Sequence, residues 1–502
     1  SSDVCSSDLG AISNYKGSII ITNCSFINST TTASGGAILN SYGDLTLINS
    51  TFTNNNATNY YGGAIYNNNI LTINKCDFSY NLASEGGAIY NLKTLKVLNS
   101  VFKGNVAYST AGAAGAILNN RGSSNVTNSS FTNNTSTRYG GAMANYNNGS
   151  LVVTDCNFIS NTSPNSGAII NAQSTLTVNN CVYKYNKATL GGGAIHNDNI
   201  GFDINLSTVN VNKSIFIGNI GLEAGGALMN GGGIFNLSYS TFINNTSNKC
   251  GGAFYNHKGV FSSTGNNFTS NTAPTAAGAI YNTEGNVTIW KNNFTNNKAT
   301  NGVGGAIFNA GSLTASVNNF INNSASNKGG AINNLYGTIL LTGSSFINNT
   351  SNNYGAAILN DMGTLTTYKN NFTNNSVNSW SGGAIYNSKG SLTVNHDRFI
   401  TNKAPSKAGA IYNYYGNFKA TSSYFSGNKA TTGYGGAILN DNGSMTLSEN
   451  IFSDNQALKG GAIYVYGTGT IKYNRMVNNG ATEIYNPADG FVDARYNWWG
   501  SN

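Results

Sequence analysis

A short phrase, GGAIYN or a near copy, returns eighteen times along this chain of 502 residues. Its closing position is Asn14, Asn40, Asn67, Asn91, Asn119, Asn145, Asn171, Asn197, Asn230, Asn256, Asn282, Asn309, Asn334, Asn360, Asn387, Asn413 or Asn440, with Val465 in the last copy. Neighbouring copies lie 24 to 28 residues apart, except for one step of 33 between Asn197 and Asn230. A period in this range is that of a solenoid, in which each repeat is one supersecondary unit stacked on the next. Such a chain forms one elongated domain rather than the several globular ones its length would suggest.

A second phrase keeps step with the first. Phe-x-x-Asn follows most closing asparagines after 11 to 13 residues, as in Phe52 with Asn55 or Phe294 with Asn297. Sixteen of eighteen such slots hold Phe, and Tyr183 and Met476 fill the others. Between the phrases lies a short alternating run such as Leu45-Thr46-Leu47. Each repeat therefore reads as three short strands, in the example Ala37 to Asn40, Leu45 to Ile48 and Ser50 to Thr53, separated by turn-forming residues. No apolar stripe at helical spacing exists, and Asn, Gly, Thr and Ser are poor helix formers. The reading is all-β: a single-stranded right-handed parallel β-helix of about eighteen coils of about 26 residues. At about 4.8 Å per coil these would build a rod of roughly 85 Å.

In-register stacking sets like residues over one another. The closing asparagines Asn40, Asn67, Asn91, Asn256, Asn282, Asn309, Asn387, Asn413 and Asn440 then form a structural ladder of amides along the axis. Asn also tolerates the left-handed backbone of a sharp turn, and the Gly pair before each Ala serves the same purpose. With Ile38, Asn40, Leu45, Leu47 and Phe52 inward, the alternate slot of the first strand faces outward. It holds Tyr66, Tyr90, Tyr255, Tyr281, Phe308, Tyr386, Tyr412 and Tyr464, and it accepts Ser13, His196 and Asn333. This aromatic stripe is the candidate binding surface, since contiguous exposed apolar area marks interaction sites. Tyrosine offers a rigid ring with a polar tip to protein or sugar. Alanine in all eighteen slots before Ile resists the register, because such constancy suits a crowded interior.

Charged residues make up only 9% of the chain, and the net charge of +8 comes from scattered lysines. No basic run interleaved with aromatics exists, which argues against nucleic acid. Cys24, Cys76, Cys156 and Cys181 sit two residues before the Phe slot and read as small buried fillers. Cys156 and Cys181 fall in adjacent coils, near enough for a disulfide but poorly aimed for one. Cys250 lies in a turn. Without C-x-x-C or a Cys/His cluster, neither metal nor cofactor is expected. Residues 1–9, with Cys5, break the pattern and resemble translated adapter sequence; 10–485 is the repeat domain, and 486–502 a terminal cap or the start of a following region. Many Asn-x-Ser/Thr sequons, Asn23, Asn49 and Asn349 among them, permit glycosylation.

The paired GGAI and FxxN phrases resemble the passenger repeats of chlamydial polymorphic outer-membrane proteins. With the Asn- and Thr-rich spacers, the terminal Tyr496-Asn497-Trp498-Trp499-Gly500-Ser501-Asn502 is similar to adhesin-like surface proteins of methanogenic archaea. The resemblance implies an extracellular rod at a cell surface or wall, monomeric and non-catalytic. It would bind surface polysaccharide or protein of a host or neighbouring microbe. Two alternatives stand beside it: a structural stalk or wall component, and a polysaccharide lyase or glycoside hydrolase of the pectin lyase-like type. For the enzyme, Asp198, Asp361 and Asp441 share the slot after the closing Asn, and His196, His257 and His396 are dispersed. His196 with Asp198, beside the insertion Gly201 to Asn212, is the best local pair. Asp493 and Arg495 read as part of the cap.

Overall fold

The computed structural model describes residues 10–110, 113–199, 207–480, 482–487 and 490–500. The adapter-like segment with Cys5, residues 201–206 of the insertion, and Ser501 with Asn502 therefore lie outside the described residues. The chain is a parallel β-helix of about 18 turns of roughly 26 residues, with its strands in three sheets. Cα packing divides it into two units: Ser1–Asn248 with Phe254–Phe261, and Lys249–Ala253 with Ser262–Asn502. The coil is built alike in both.

One coil of the first unit runs through strands Ile89–Asn91, Thr94–Leu98, Val101–Lys103 and Val106–Ala107. The matching coil of the second is Ile385–Ser388, Ser391–Asn395, Arg398–Ile400 and Lys403–Ala404. The first two strands share a sheet, and in places they fuse, as in Ile438–Ser448. The Phe strand belongs to the second sheet. The third sheet consists mostly of two-residue strands just after the FxxN asparagine, which are too short to leave an alternation in the sequence. Like residues pair across coils: Phe102 with Phe131, and Ile385 with Ile411.

Every Phe of the FxxN slot from Phe52 onward is fully buried. Register forces the rings into a file: Phe216 and Phe242 are 4.6 Å apart at 1°, Phe268 and Phe294 4.9 Å apart at 4°. Burial of such a ring contributes up to about 3 kcal/mol, and stacking adds to that.

Polar columns flank the file. Short of Asn440, whose next rung is Val465 and whose amide goes to carbonyls instead, closing asparagines donate Nδ2–H up the column, Asn40 to Asn67 at 2.7 Å and Asn387 to Asn413 at 2.7 Å. The same amide caps a nearby turn, as Asn387 does with the carbonyl of Gly390 at 3.0 Å. These asparagines lie in strands, and none has a positive φ. Left-handed backbone is instead found at the corners, for example Asn49 (φ 47) and Asn54 (φ 56). The turn argument for the closing Asn is thus corrected: hydrogen bonding alone accounts for it.

Two further ladders escaped the sequence reading. The FxxN asparagine forms one of them: Asn81 donates to Phe52 O and Asn105 Oδ1, both at 2.9 Å. Its Oδ1 accepts the backbone N–H and Nδ2–H of Asn55, at 3.0 and 2.9 Å. Both N–H groups and both lone pairs are used. The column two residues before Phe must present an acceptor to a buried N–H of the preceding coil. Cysteine sulfur serves there as oxygen does elsewhere: Cys156 N–H donates to Cys181 Sγ at 3.4 Å, and Cys181 N–H to Ser214 Oγ at 3.1 Å. Cys156 and Cys181 are free thiols, as is Cys24, which is exposed rather than a buried filler. Hydrogen bonding to Cys181 lowers the Cys156 thiol, and its partner is pushed up correspondingly.

The glycine pair splits its work. Gly382 has φ 71, whereas a Cβ on Gly383 would meet the carbonyl oxygen of Gly409 at 2.1 Å. Only the first is a turn residue; the second lets adjacent coils approach. The alanine that follows is buried in every coil from Ala37 on, because it occupies the bend and not the pleat. There two successive amides, Ala37 and Ile38, converge on Ala64 O at 2.9 Å.

At one corner the sequence works against the fold. Val317 holds φ 57 with its side chain 48% exposed. β-Branched residues are strained in this region. Val317→Asn should raise stability by about 1 kcal/mol, read as a higher denaturant midpoint with unchanged slope.

A candidate binding cleft on the second unit

The aromatic stripe is not a solvent-facing surface. Tyr90, Phe308, Tyr386 and Tyr412 are buried, and Tyr66, Tyr255, Tyr281 and Tyr464 are half-buried. His196 and Asn333, read from the sequence as marks of a tolerant outer slot, are buried as well. The reason is a second layer. The segment preceding each Gly-Gly-Ala folds back over the strand and covers the stripe. In the first unit Tyr61 stacks on Tyr90 at 4.6 Å, within a cluster of Ala114, Leu118, Ala144 and Ile170. In the second, Ala276 and Ala277 pack on Phe308, with Tyr281 stacked on Phe308 at 4.7 Å. A larger cluster there joins Leu359, Tyr386, Ala408, Tyr412 and Leu439 with Tyr354, Tyr414 and Tyr464.

Over this last cluster the covering layer leaves two surface hollows. The loop column Tyr354, Ser381, Lys407, Tyr434 and Lys459 pairs rung by rung. It places Lys407 above Tyr412 of the strand Ile411–Tyr414, with Nζ 5.5 Å from the ring centre. Asp441 aligns with Tyr414 and Tyr466 in its sheet. Lys407 Nζ lies 3.3 Å from Asp441 Oδ2, and the Tyr412 hydroxyl donates to the same oxygen at 2.7 Å. This charged pair divides two hollows. One, of about 300 Å³, is walled by Tyr354, Trp380, Tyr386, Tyr412 and Tyr414. The other, of about 210 Å³, is walled by Tyr434, Leu439, Tyr464 and Tyr466. Trp380 is 54% exposed and lies against Tyr354 at 6.3 Å and 28°.

Sequence reading placed Tyr386, Tyr412 and Tyr464 on this flank and noted Asp441, but it missed Lys407 and Trp380. Their turn positions vary from coil to coil, so no period exposed them. A Trp standing where other coils carry small polar residues was the available signal.

Burial, and then the hydrogen bond to Asp441, raise the Tyr412 hydroxyl well above the ordinary tyrosine range. It is a fixed donor and not a base. Asp361 and Asp441 share a column, but Ser388 and Tyr414 stand between them. Three rungs of ~4.8 Å exceed the carboxylate spacing of about 5–9 Å that glycosidases use. In the first unit Asp198 aligns with Gly231, which in turn aligns with His257. His196 is a buried ring whose Nδ1 faces Asn165 O at 3.2 Å, and desolvation lowers its pKa. His396 is exposed, edge-on to Tyr368. Among the described residues no group of His, Cys, Asp and Glu is placed to hold a metal ion. Asp493 pairs with Arg495 and Lys472, which hold its carboxyl well below the usual range. Its strand Val492–Asp493 pairs with Gly469 and Thr470, and Trp499 aligns with Met476 of the Phe column.

With the coil and its cleft in view, comparison with known families becomes specific. Three segments match the Chlamydia polymorphic membrane protein (Chlamydia_PMP) repeat: residues 239–257, 422–441 and 451–466. No curated protein matched the chain. The matched segments 422–441 and 451–466 contain Tyr434, Asp441, Tyr464 and Tyr466 of the cleft, whereas Trp380 and Lys407 fall outside the matches.

Proposed function

We propose that the chain is a surface-displayed, non-catalytic passenger that attaches to polymers of a host or neighbouring microbe. The observation carrying this reading is the pair of hollows in the covering layer of the second unit, where exposed Trp380 and a row of tyrosines border the Lys407–Asp441 pair. The match to polymorphic membrane protein repeats supports display at a surface. A Tyr412 held protonated and carboxylates three rungs apart favour binding over polysaccharide cleavage. The stripe acts indirectly in this reading: its buried rings support the wall that the exposed ones present.

Immobilised full chain should retain host or microbial cells and their isolated surface polymers. Trp380→Ala should reduce retention roughly tenfold, as loss of an aromatic anchor does, with the β-sheet circular dichroism unchanged. Retention that ignores Trp380 would move the attachment surface away from this cleft, and no retention at all would leave the chain a stalk.

A further inference from the structure

Resting on that reading, we infer that the Lys407–Asp441 cleft is a saccharide subsite for a short run of a neutral pyranose polymer. The charges in the cleft decide for a neutral ligand. Lys407 and Asp441 face each other at 3.3 Å, so they offer a neutral pair of one donor and one acceptor. Each keeps hydrogen-bonding capacity in reserve. Besides Asp441, the ammonium meets only the Tyr412 hydroxyl, at 3.4 Å, and therefore has a spare N–H. Asp441 Oδ2 accepts from Tyr412 and Lys407, and Oδ1 accepts from Asn442 at 2.9 Å, which leaves one lone pair of Oδ1 open. A carboxylate beside an ammonium matches a vicinal diol: one hydroxyl donates to Asp441, and its neighbour accepts from Lys407. Tyr412 holds the carboxylate in place and stays protonated throughout the physiological range.

The hollows on either side of the pair supply the apolar part of the recognition. Trp380 and Tyr354 border one, and Tyr434 with Tyr464, stacked at 4.9 Å, border the other. Sugar rings present C–H faces that lie against aromatic planes, while their rims carry hydroxyls, and this cleft has planes outside and polar groups between. The loop column climbs two rungs of ~4.8 Å from Ser381, next to Trp380, to Tyr434, so a pyranose chain lying along the coil axis would set one unit against each hollow and the unit between them against the Lys407–Asp441 pair. An acidic polymer would set its carboxylates against Asp441.

The test is titration of the full chain with cellohexaose, mannohexaose and chitohexaose, and with hexagalacturonate as the acidic arm, followed by tryptophan fluorescence and calorimetry. At least one neutral hexaose should bind saturably, and Asp441→Asn and Trp380→Ala should each weaken it about tenfold. Asp441→Asn keeps an oxygen for Tyr412, so the fold persists; circular dichroism checks this. Preference for hexagalacturonate, absence of hexaose binding, or equal affinity in both variants would overturn the saccharide assignment. Cell retention measured on the same proteins separates the two readings. Retention that depends on Trp380 without hexaose binding removes the ligand and leaves the attachment role; hexaose binding without cell retention does the reverse.

Discussion

Asn349→Ala should destabilise the second unit by about 3–5 kcal/mol, although it removes only a small polar side chain. Asn349 Nδ2 donates to Phe320 O and Asn375 Oδ1, both at 2.9 Å. Its Oδ1 accepts Asn323 N–H at 3.0 Å and Asn323 Nδ2–H at 3.1 Å. Truncation leaves the carbonyl of Phe320 and the amide of Asn323 without partners at a fully buried site. Each orphaned group costs about 1–3 kcal/mol. Asn378 makes an Asn–Asn bond of 2.8 Å to Asn352, but in solvent. Asn378→Ala should therefore change stability by less than about 0.5 kcal/mol. Urea unfolding measures both, and comparable losses would show that burial of the ladder is not what matters. All four tryptophans, Trp290, Trp380, Trp498 and Trp499, belong to the second unit, so their fluorescence follows that unit.

The second large effect depends on pH. Asp397 stands in the acceptor column two residues before Phe399, where other coils have Ser, Cys or Asn, and it is 1% exposed. Oδ2 accepts the Thr367 hydroxyl at 2.6 Å, and Oδ1 accepts Asn370 N–H at 2.6 Å and Nδ2–H at 3.0 Å. Burial pushes its pKa up to about 6 despite those bonds, which pull the other way. The folded chain thus holds a proton that the unfolded one has lost above about pH 4. The stabilising contribution is complete below about pH 4, falls as pH rises through 6, and is gone above it. The difference is about 3 kcal/mol, at ~1.4 kcal/mol per unit. Asp397→Asn supplies the amide that Asn370 and Asn450 already place in this column. It should stabilise the second unit at pH 7 by about 2–3 kcal/mol and flatten the decline between pH 4 and 7. Parallel pH curves for the two proteins would refute the assignment.

The coil was legible because it repeats. Phe294 and Asn297 recur with fixed spacing, and a residue that must sit above its own copy can hardly vary. What varies was harder to read. The acceptor column holds Ser100, Cys181, Asn292 or Asp397, whose common property is a lone pair rather than a shape, and it passed for filler. The strand Lys403–Ala404 is too short to alternate. The aromatic stripe was placed on the correct strand but given the wrong surroundings. Period-2 alternation tells lumen from outside and carries no information about a loop returning from elsewhere in the coil. Lys407 and Trp380 belong to those loops, where each coil differs from the next.

The buried amide columns point one way: Asn282 gives to Asn309, Asn360 to Asn387, and Asn413 to Asn440. A stack of such coils is vectorial, with hydrogens presented toward the higher-numbered end and oxygens toward the lower. Excising one whole period rejoins a hydrogen to an oxygen in every column, whereas inverting a segment sets hydrogen against hydrogen. Gain and loss of complete turns is the form of variation this architecture absorbs without a mismatch.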